Sequence, residues 1–142
     1  MIESAMPHDL PEIHALLERL RLPLAGIDEH LPTMLVAREA EQIIGTAALE
    51  MYADGALLRS VAVEPRQQGR RLGHQLTDAA LQLAAIHGAP AVFLLTTTAE
   101  RFFPKFGFEP ITRDQVPASV RASVEFQWAC PASAIVMRKH LR

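Results

Sequence analysis

A chain of 142 residues with a formal net charge of −2 lacks the concentrated positive charge that a nucleic-acid backbone demands. Its 49% apolar content excludes an intrinsically disordered chain. The single cysteine, Cys130, rules out an intramolecular disulfide and a cysteine-rich zinc site.

No apolar run approaches the roughly 20 residues of a membrane span, and the N-terminus has no leader-like pattern. The expectation is one cytoplasmic domain, residues 1–142. Met1–Ala5 reads as a short first strand. Asp9 and Glu12 form a capping-box pattern, and Leu10, Ile13, Leu16, Leu17 and Leu20 share one face of the helix that follows. Pro23 ends that helix, and Leu24–Pro32 reads as a loop with room for one helical turn.

From Thr33 the period shortens. Met34–Arg38, Ile43–Met51 and Ala56–Val63 read as three strands of an antiparallel meander, with turns at Glu39–Gln42 and Ala53–Gly55. Pro65, without a backbone donor, ends the ladder. Leu72, Leu76, Ala79, Ala80, Leu83 and His87 recur at helical spacing, with Gly88 as the C′ residue. Ala91–Thr96 is an apolar run suited to a strand covered on both faces. A brief helix over Ala99–Phe106, a strand over Phe108–Ile111, a helical stretch over Pro117–Trp128 with Val116, Val120 and Val124 on one side, and a closing strand over Ala134–Lys139 complete the order. The fold class is α/β with a mixed sheet in a three-layer α/β/α arrangement.

The chemistry concentrates between Leu58 and Gly73. A strand stops at Val63, and an amphipathic helix opens near Gly69–Gly73. Its first amides have no intrahelical partner and lie at the positive end of the helix dipole. Glycines allow close backbone approach, and Arg70 and Arg71 add charge, so the segment suits a diphosphate. An ordinary solvated helix start has the same composition.

Val61-Ala-Val-Glu-Pro65 followed by Gln68-Gly-Arg-Arg-Leu-Gly73 resembles the Gln/Arg-x-x-Gly-x-Gly/Ala signature of the GNAT superfamily of N-acetyltransferases, with Arg71 in place of the inner glycine. Thr98-Ala-Glu-Arg-Phe-Phe-Pro-Lys-Phe-Gly-Phe108 is similar to that superfamily's second hallmark. The resemblance implies acetyl-CoA as cosubstrate. Its pantetheine arm would lie along Val61, Ala62 and Val63, and its pyrophosphate on Gln68, Gly69, Arg70, Arg71, Leu72 and Gly73, with His74 and Phe103 beside it. A small amine would then attack the thioester directly. The positions that commonly hold a tyrosine donor and a carboxylate base are Phe103 and Leu57 here. That leaves open an acyl-CoA-binding or sensor module with little turnover. The run Leu95–Phe103 also resembles amino-acid N-acetyltransferases of the N-acetylglutamate synthase type, where phenylalanine is common.

Other polar candidates each have an ordinary alternative. Glu50 is the candidate base, or an exposed strand-end carboxylate. Arg59 suits a substrate carboxylate, or a structural ion pair. Thr96 and Thr97 are candidate substrate contacts, or simply strand formers. Cys130 is a candidate reactive thiol, or a small buried residue. The six histidines show no ligand pattern, and no metal is expected. The run Pro117–Ala134, with Leu58–Val63 and the triple threonine, resembles a bacterial subgroup of arsenic-resistance N-acetyltransferases. In this run Val116–Trp128 reads as a lid, or as plain packing of Phe126 and Trp128. The expected partners are acetyl-CoA and a small amine, with a homodimer through the C-terminal strands possible and neither nucleic acid nor membrane.

Overall fold

The computed structural model describes residues 1–123, 126–127 and 133–141. The elements are β1 (Ile2–Ser4), α1 (Leu10–Arg19), β2 (Met34–Glu39), β3 (Gln42–Tyr52), β4 (Gly55–Val63), α2 (Leu72–Ile86), β5 (Ala91–Thr96), β6 (Glu109–Ile111), α3 (Ala118–Arg121) and β7 (Ile135–His140). The strands form one sheet in the order β1-β2-β3-β4-β5-β7-β6. All neighbours are antiparallel except β4 and β5. Helices cover both faces, which gives the expected three layers.

On one face, Leu76, Ala80 and Ala84 of α2 pack against Ala47, Leu49 and Leu58. Gly45 makes this close approach possible, since a methyl group there would sit 2.8 Å from Leu76 Cδ1. On the other face, Ile13, Leu16 and Leu17 of α1 cover Val36, Ala48 and Ala62. Farther along it, Val116 and Val120 cover Leu57 and Phe93. Each fully buried aliphatic side chain of these layers contributes about 1.5–3 kcal/mol.

Both long helices end alike. In α2 the Gly88 N–H reaches the Ala85 carbonyl and the Ala89 N–H the Ala84 carbonyl, each at 3.0 Å. With Gly88 at φ +80° this is a Schellman closure. In α1 the Arg21 N–H reaches Glu18 at 3.0 Å and the Leu22 N–H reaches Leu17 at 2.9 Å. The left-handed residue there is Arg21, at φ 58°.

Two local expectations are corrected. The capping box at Asp9 and Glu12 does not form, because long-range partners capture both carboxylates. Asp9 accepts from Arg38 Nη2 at 2.6 Å and Glu12 from the Ile43 N–H at 2.7 Å. The helix expected over Ala99–Phe106 is only a 3-10 turn over Phe103–Phe106, since Pro104 has no N–H to donate to an α-helical ladder. The helical stretch expected over Pro117–Trp128 is described in part: α3 is one turn of it, and residues 126–127 are also helical. Val124, Trp128 and Cys130 lie outside the described residues.

Candidate functional site

The sheet carries a built-in opening. The parallel pair β4–β5 is joined only at Ala56↔Val92 and Leu57↔Phe93, and beyond that the strands diverge. The cause on the β4 side is a bulge. Thr46 pairs with Ala62 and Ala48 with Arg59, so Ala47 alone faces both Ser60 and Val61. Ser60 takes φ 56°, and the buried Thr46 hydroxyl donates to its carbonyl at 2.7 Å. An extra residue bends the strand and unpairs its edge. It also reverses the alternation of side chains. Val61 and Val63 lie on the α2 side, whereas Ala62 packs into the α1 side.

The opening leads into a cavity of about 1160 Å³. One wall is the β4 segment with the loop Gln67–Gly73 and the start of α2. The opposite wall is the end of β5 and the turn through Phe103, and Arg21, Leu22 and Pro23 close the α1 side.

The loop has open space at its glycine and a left-handed residue at the start of α2. Gly69 has φ +88°, and no atom lies within 4 Å of where a side chain would begin. Arg71 caps α2 in the left-handed conformation, φ 63°. This is the position where the resembled signature has glycine, so arginine here adopts glycine's geometry at a cost on the order of 1 kcal/mol. Gln75 donates to the Arg71 carbonyl at 3.0 Å; the amides before it belong to the first turn, whose N–H groups have no intrahelical acceptor. The Gln68 side chain closes the turn on the Val63 carbonyl at 3.3 Å.

The expected cofactor residues mostly converge. Val61, Val63, Gln68, Gly69, Arg71, Leu72, Gly73, His74 and Phe103 all line the cavity. Two do not. Arg70 turns outward to Gln67 Oε1 at 3.2 Å, and Ala62 faces the α1 core. His74 pairs with Asp78 at 3.3 Å and packs on Phe106, ring centroids 4.7 Å apart. Phe103 is 6% exposed and meets Phe108 edge to face. Thr96 and Thr97 line the opposite wall. The Thr96 hydroxyl accepts the Ala99 N–H at 2.9 Å, which caps the turn beyond β5.

Glu50 and Arg59 sit differently from expectation. Glu50 is 1% exposed and is absent from the cavity wall. It pairs with Arg59 Nη1 at 2.8 Å, accepts the Tyr52 hydroxyl, and faces His30 Nε2 at 3.5 Å. A carboxylate enclosed this way has no approach to an amine in the cavity, so the assignment as base gives way to that of partner to Arg59. Burial, then the neighbouring Glu50 carboxylate, hold the Tyr52 phenol well above its usual pKa. Arg59 reaches the cavity wall, yet it also donates to the Ala25 carbonyl and to Pro23 at 2.9 Å. It clamps the loop after α1 onto the bulge. Gly26 makes the close approach possible: a side chain there would begin 3.2 Å from Arg59 Nη1.

The bulge at Ser60 and the wall Arg21–Pro23 were not anticipated from sequence. Their signals were the polar Arg59-Ser60 pair inside an apolar strand and an arginine at a helix C′ position. Among the described residues, no group of three metal-ligating side chains converges. No helix there is long and apolar enough to cross a membrane.

The acetyltransferase (GNAT) domain model matches residues 30–110. An amino-acid acetyltransferase of Mycobacterium tuberculosis is 30% identical over 130 residues, 84% of this chain and 74% of the relative. Among solved structures, Rv2747 of Mycobacterium tuberculosis in complex with CoA is 25% identical. It superposes with a TM-score of 0.85 over 100% of this chain and 99% of its own. The N-acetylglutamate synthase of Neisseria gonorrhoeae complexed with coenzyme A and N-acetyl-glutamate has a TM-score of 0.86 at 23% identity. The chain covers 35% of that protein's length, a likeness of fold. The splayed strands, the amide-lined loop and the family match agree: this chain belongs to the GNAT family of acetyltransferases.

Proposed function

We propose that the chain transfers the acetyl group of acetyl-CoA to the amine of a small amino-acid-like substrate by direct attack on the thioester. The observation that carries the reading is the shared cavity, in which the unpaired β4 edge and the first-turn amides of α2 lie along one wall. Val61 and Val63 offer backbone groups for a pantetheine arm to pair with as an added strand. Gly69, Arg71, Leu72 and Gly73 offer amides and one guanidinium to a pyrophosphate. The bound cosubstrate supplies an activated acyl group, and the chain's part is to hold it fixed and to orient the amine. Phe103 and Leu57 carry no titratable proton, and Glu50 is enclosed. Of the described titratable groups that line the cavity, His74 and Glu100 are the ones able to take the proton, directly or through water at the open mouth.

The acceptor enters from the α1 side, where Arg21–Pro23 and the Arg59 clamp form the wall. The amino-acid acetyltransferase similarity supports an acceptor that carries a carboxylate. The resemblance of Leu58–Val63, the triple threonine and Pro117–Ala134 to the arsenic-resistance subgroup extends the acceptor class to amino-acid-like organoarsenicals. The test is release of free CoA thiol from acetyl-CoA in the presence of proteinogenic amino acids and an arsonate amino acid. Acceptor-dependent release supports the reading. No release with any of them, from protein that binds acetyl-CoA, contradicts it.

A further inference from the structure

We infer that Arg21 recognises a carboxylate of the acceptor and sets its specificity. The inference rests on the acetyltransfer reading, and it concerns a residue that sequence motifs do not mark.

Two helices of this protein close with the same pair of hydrogen bonds. Such closures place one residue in the left-handed region, and glycine is the residue that takes it without strain. After α2 it is Gly88, on the exposed surface. After α1 it is Arg21, at φ 58°. The side chain is exposed, lines the cavity, and has no hydrogen-bond or ion-pair partner among the described residues. A strained conformation kept at a cavity wall points to a role for the side chain that occupies it.

The charge around it points the same way. Arg59, its neighbour on that wall, is already committed to Glu50, Pro23 and Ala25. Glu100, on the wall beyond β5, is the acidic residue of the cavity lining among the described residues. Among the described residues Arg21 is thus the uncommitted cation on the acceptor side, held at the rim by a loop that Arg59 fixes. A guanidinium so placed suits a carboxylate. Proximity of a cation to the C-terminal end of α1 is a purely structural alternative, and the experiment separates the two.

Each proteinogenic amino acid and its α-carboxamide would be assayed as acceptors with wild type, Arg21→Gly, Arg21→Asn and Arg21→Lys. Acetyl-CoA affinity and thermal stability would be measured in parallel. The expected result is a wild-type preference for the free acid of about ten- to hundred-fold, as charge-assisted hydrogen bonds give. That preference should disappear in Arg21→Gly and Arg21→Asn through KM and be partly kept in Arg21→Lys. Acetyl-CoA affinity should not change, and Arg21→Gly should be as stable as wild type or more so, because glycine fits the left-handed position. An unchanged acid-to-amide preference in the variants would overturn the inference. So would an equal loss for both forms, the mark of a structural role. A wild-type protein that fails to bind acetyl-CoA, or that binds it and acetylates no amino acid, would instead remove the underlying acetyltransfer reading.

Discussion

Replacing Arg59 with methionine keeps the volume of the side-chain stem and removes its charge. In the native protein the Arg59 side chain is 0% and that of Glu50 1% exposed, with 2.8 Å between them. Among the described residues, the variant leaves the buried Glu50 carboxylate with only the Tyr52 hydroxyl and a 3.5 Å contact to His30. It also deprives the Pro23 and Ala25 carbonyls of a donor. Breaking a buried pair from one side costs about 3–5 kcal/mol, most of it from the charge left behind. For a chain of this length that corresponds to a fall of roughly 10–15 °C in Tm. Removing both charges, as in Glu50→Leu with Arg59→Met, should recover much of the loss, since an apolar pair of similar volume is often neutral or better. Urea denaturation followed by circular dichroism measures wild type, the two single variants Arg59→Met and Glu50→Leu, and the double variant. If Arg59→Met alone lies within about 1 kcal/mol of wild type, the pair is not the buried clamp described here. If the double variant is as unstable as the sum of the singles, the cost comes from packing and not from charge.

Two further perturbations follow from the same geometry. The Arg38 hydrogen bond, against the opposing effect of burial and with help from the Met6 N–H, holds the Asp9 carboxyl below its ordinary value of 3.8. A depressed folded-state pKa gives stability that is present above the unfolded pKa and lost as pH falls through the folded one. Urea midpoints of wild type should therefore decline steeply below about pH 4, and those of Asp9→Asn should be lower at neutral pH and flatter in acid; parallel curves would contradict the assignment. Gly45→Ala should cost about 1–3 kcal/mol by overpacking, because the added methyl meets Leu76 Cδ1 at 2.8 Å and the Ala62 carbonyl at 3.1 Å; an unchanged urea midpoint would show that α2 can shift.

Much of the fold was legible in sequence because local and global preferences agree. The α2 periodicity, its Gly88 stop and the apolar run of β5 were each visible in short windows, and burial of Leu76, Ala80 and Val92 bears them out. What escaped was settled by partners distant in the chain. The bulge at Ser60 depends on the Thr46 hydroxyl and on the register with Ala47, so an unbroken alternation through β4 misplaces Val61 and Val63. Asp9 and Glu12 have the spacing of a cap, yet Arg38 and the Ile43 amide outcompete the local bonds. Both readings of Glu50, as base at the substrate mouth and as strand-end carboxylate, place it within reach of solvent, where such a group usually lies. Its burial depends on an arginine from the next strand and a loop folded over both. Of the cavity, the lining by Gln68, Gly69, Arg71, Leu72 and Gly73 was legible from the glycines and the helix start. The Arg21–Pro23 wall was not, since only the fold brings the end of α1 to the opening.

Calorimetric titration with acetyl-CoA, run on wild type and on Gly69→Glu, tests the central claim. Glutamate at that position would carry a side chain at φ +88° and set a negative charge beside the first amides of α2, where an anion is to be held. Saturable binding to wild type at one site per chain, weakened at least tenfold in a variant of native circular dichroism, is the predicted result. Equal affinity in the two proteins, or no binding to wild type, would contradict the assignment of this cavity to the cosubstrate.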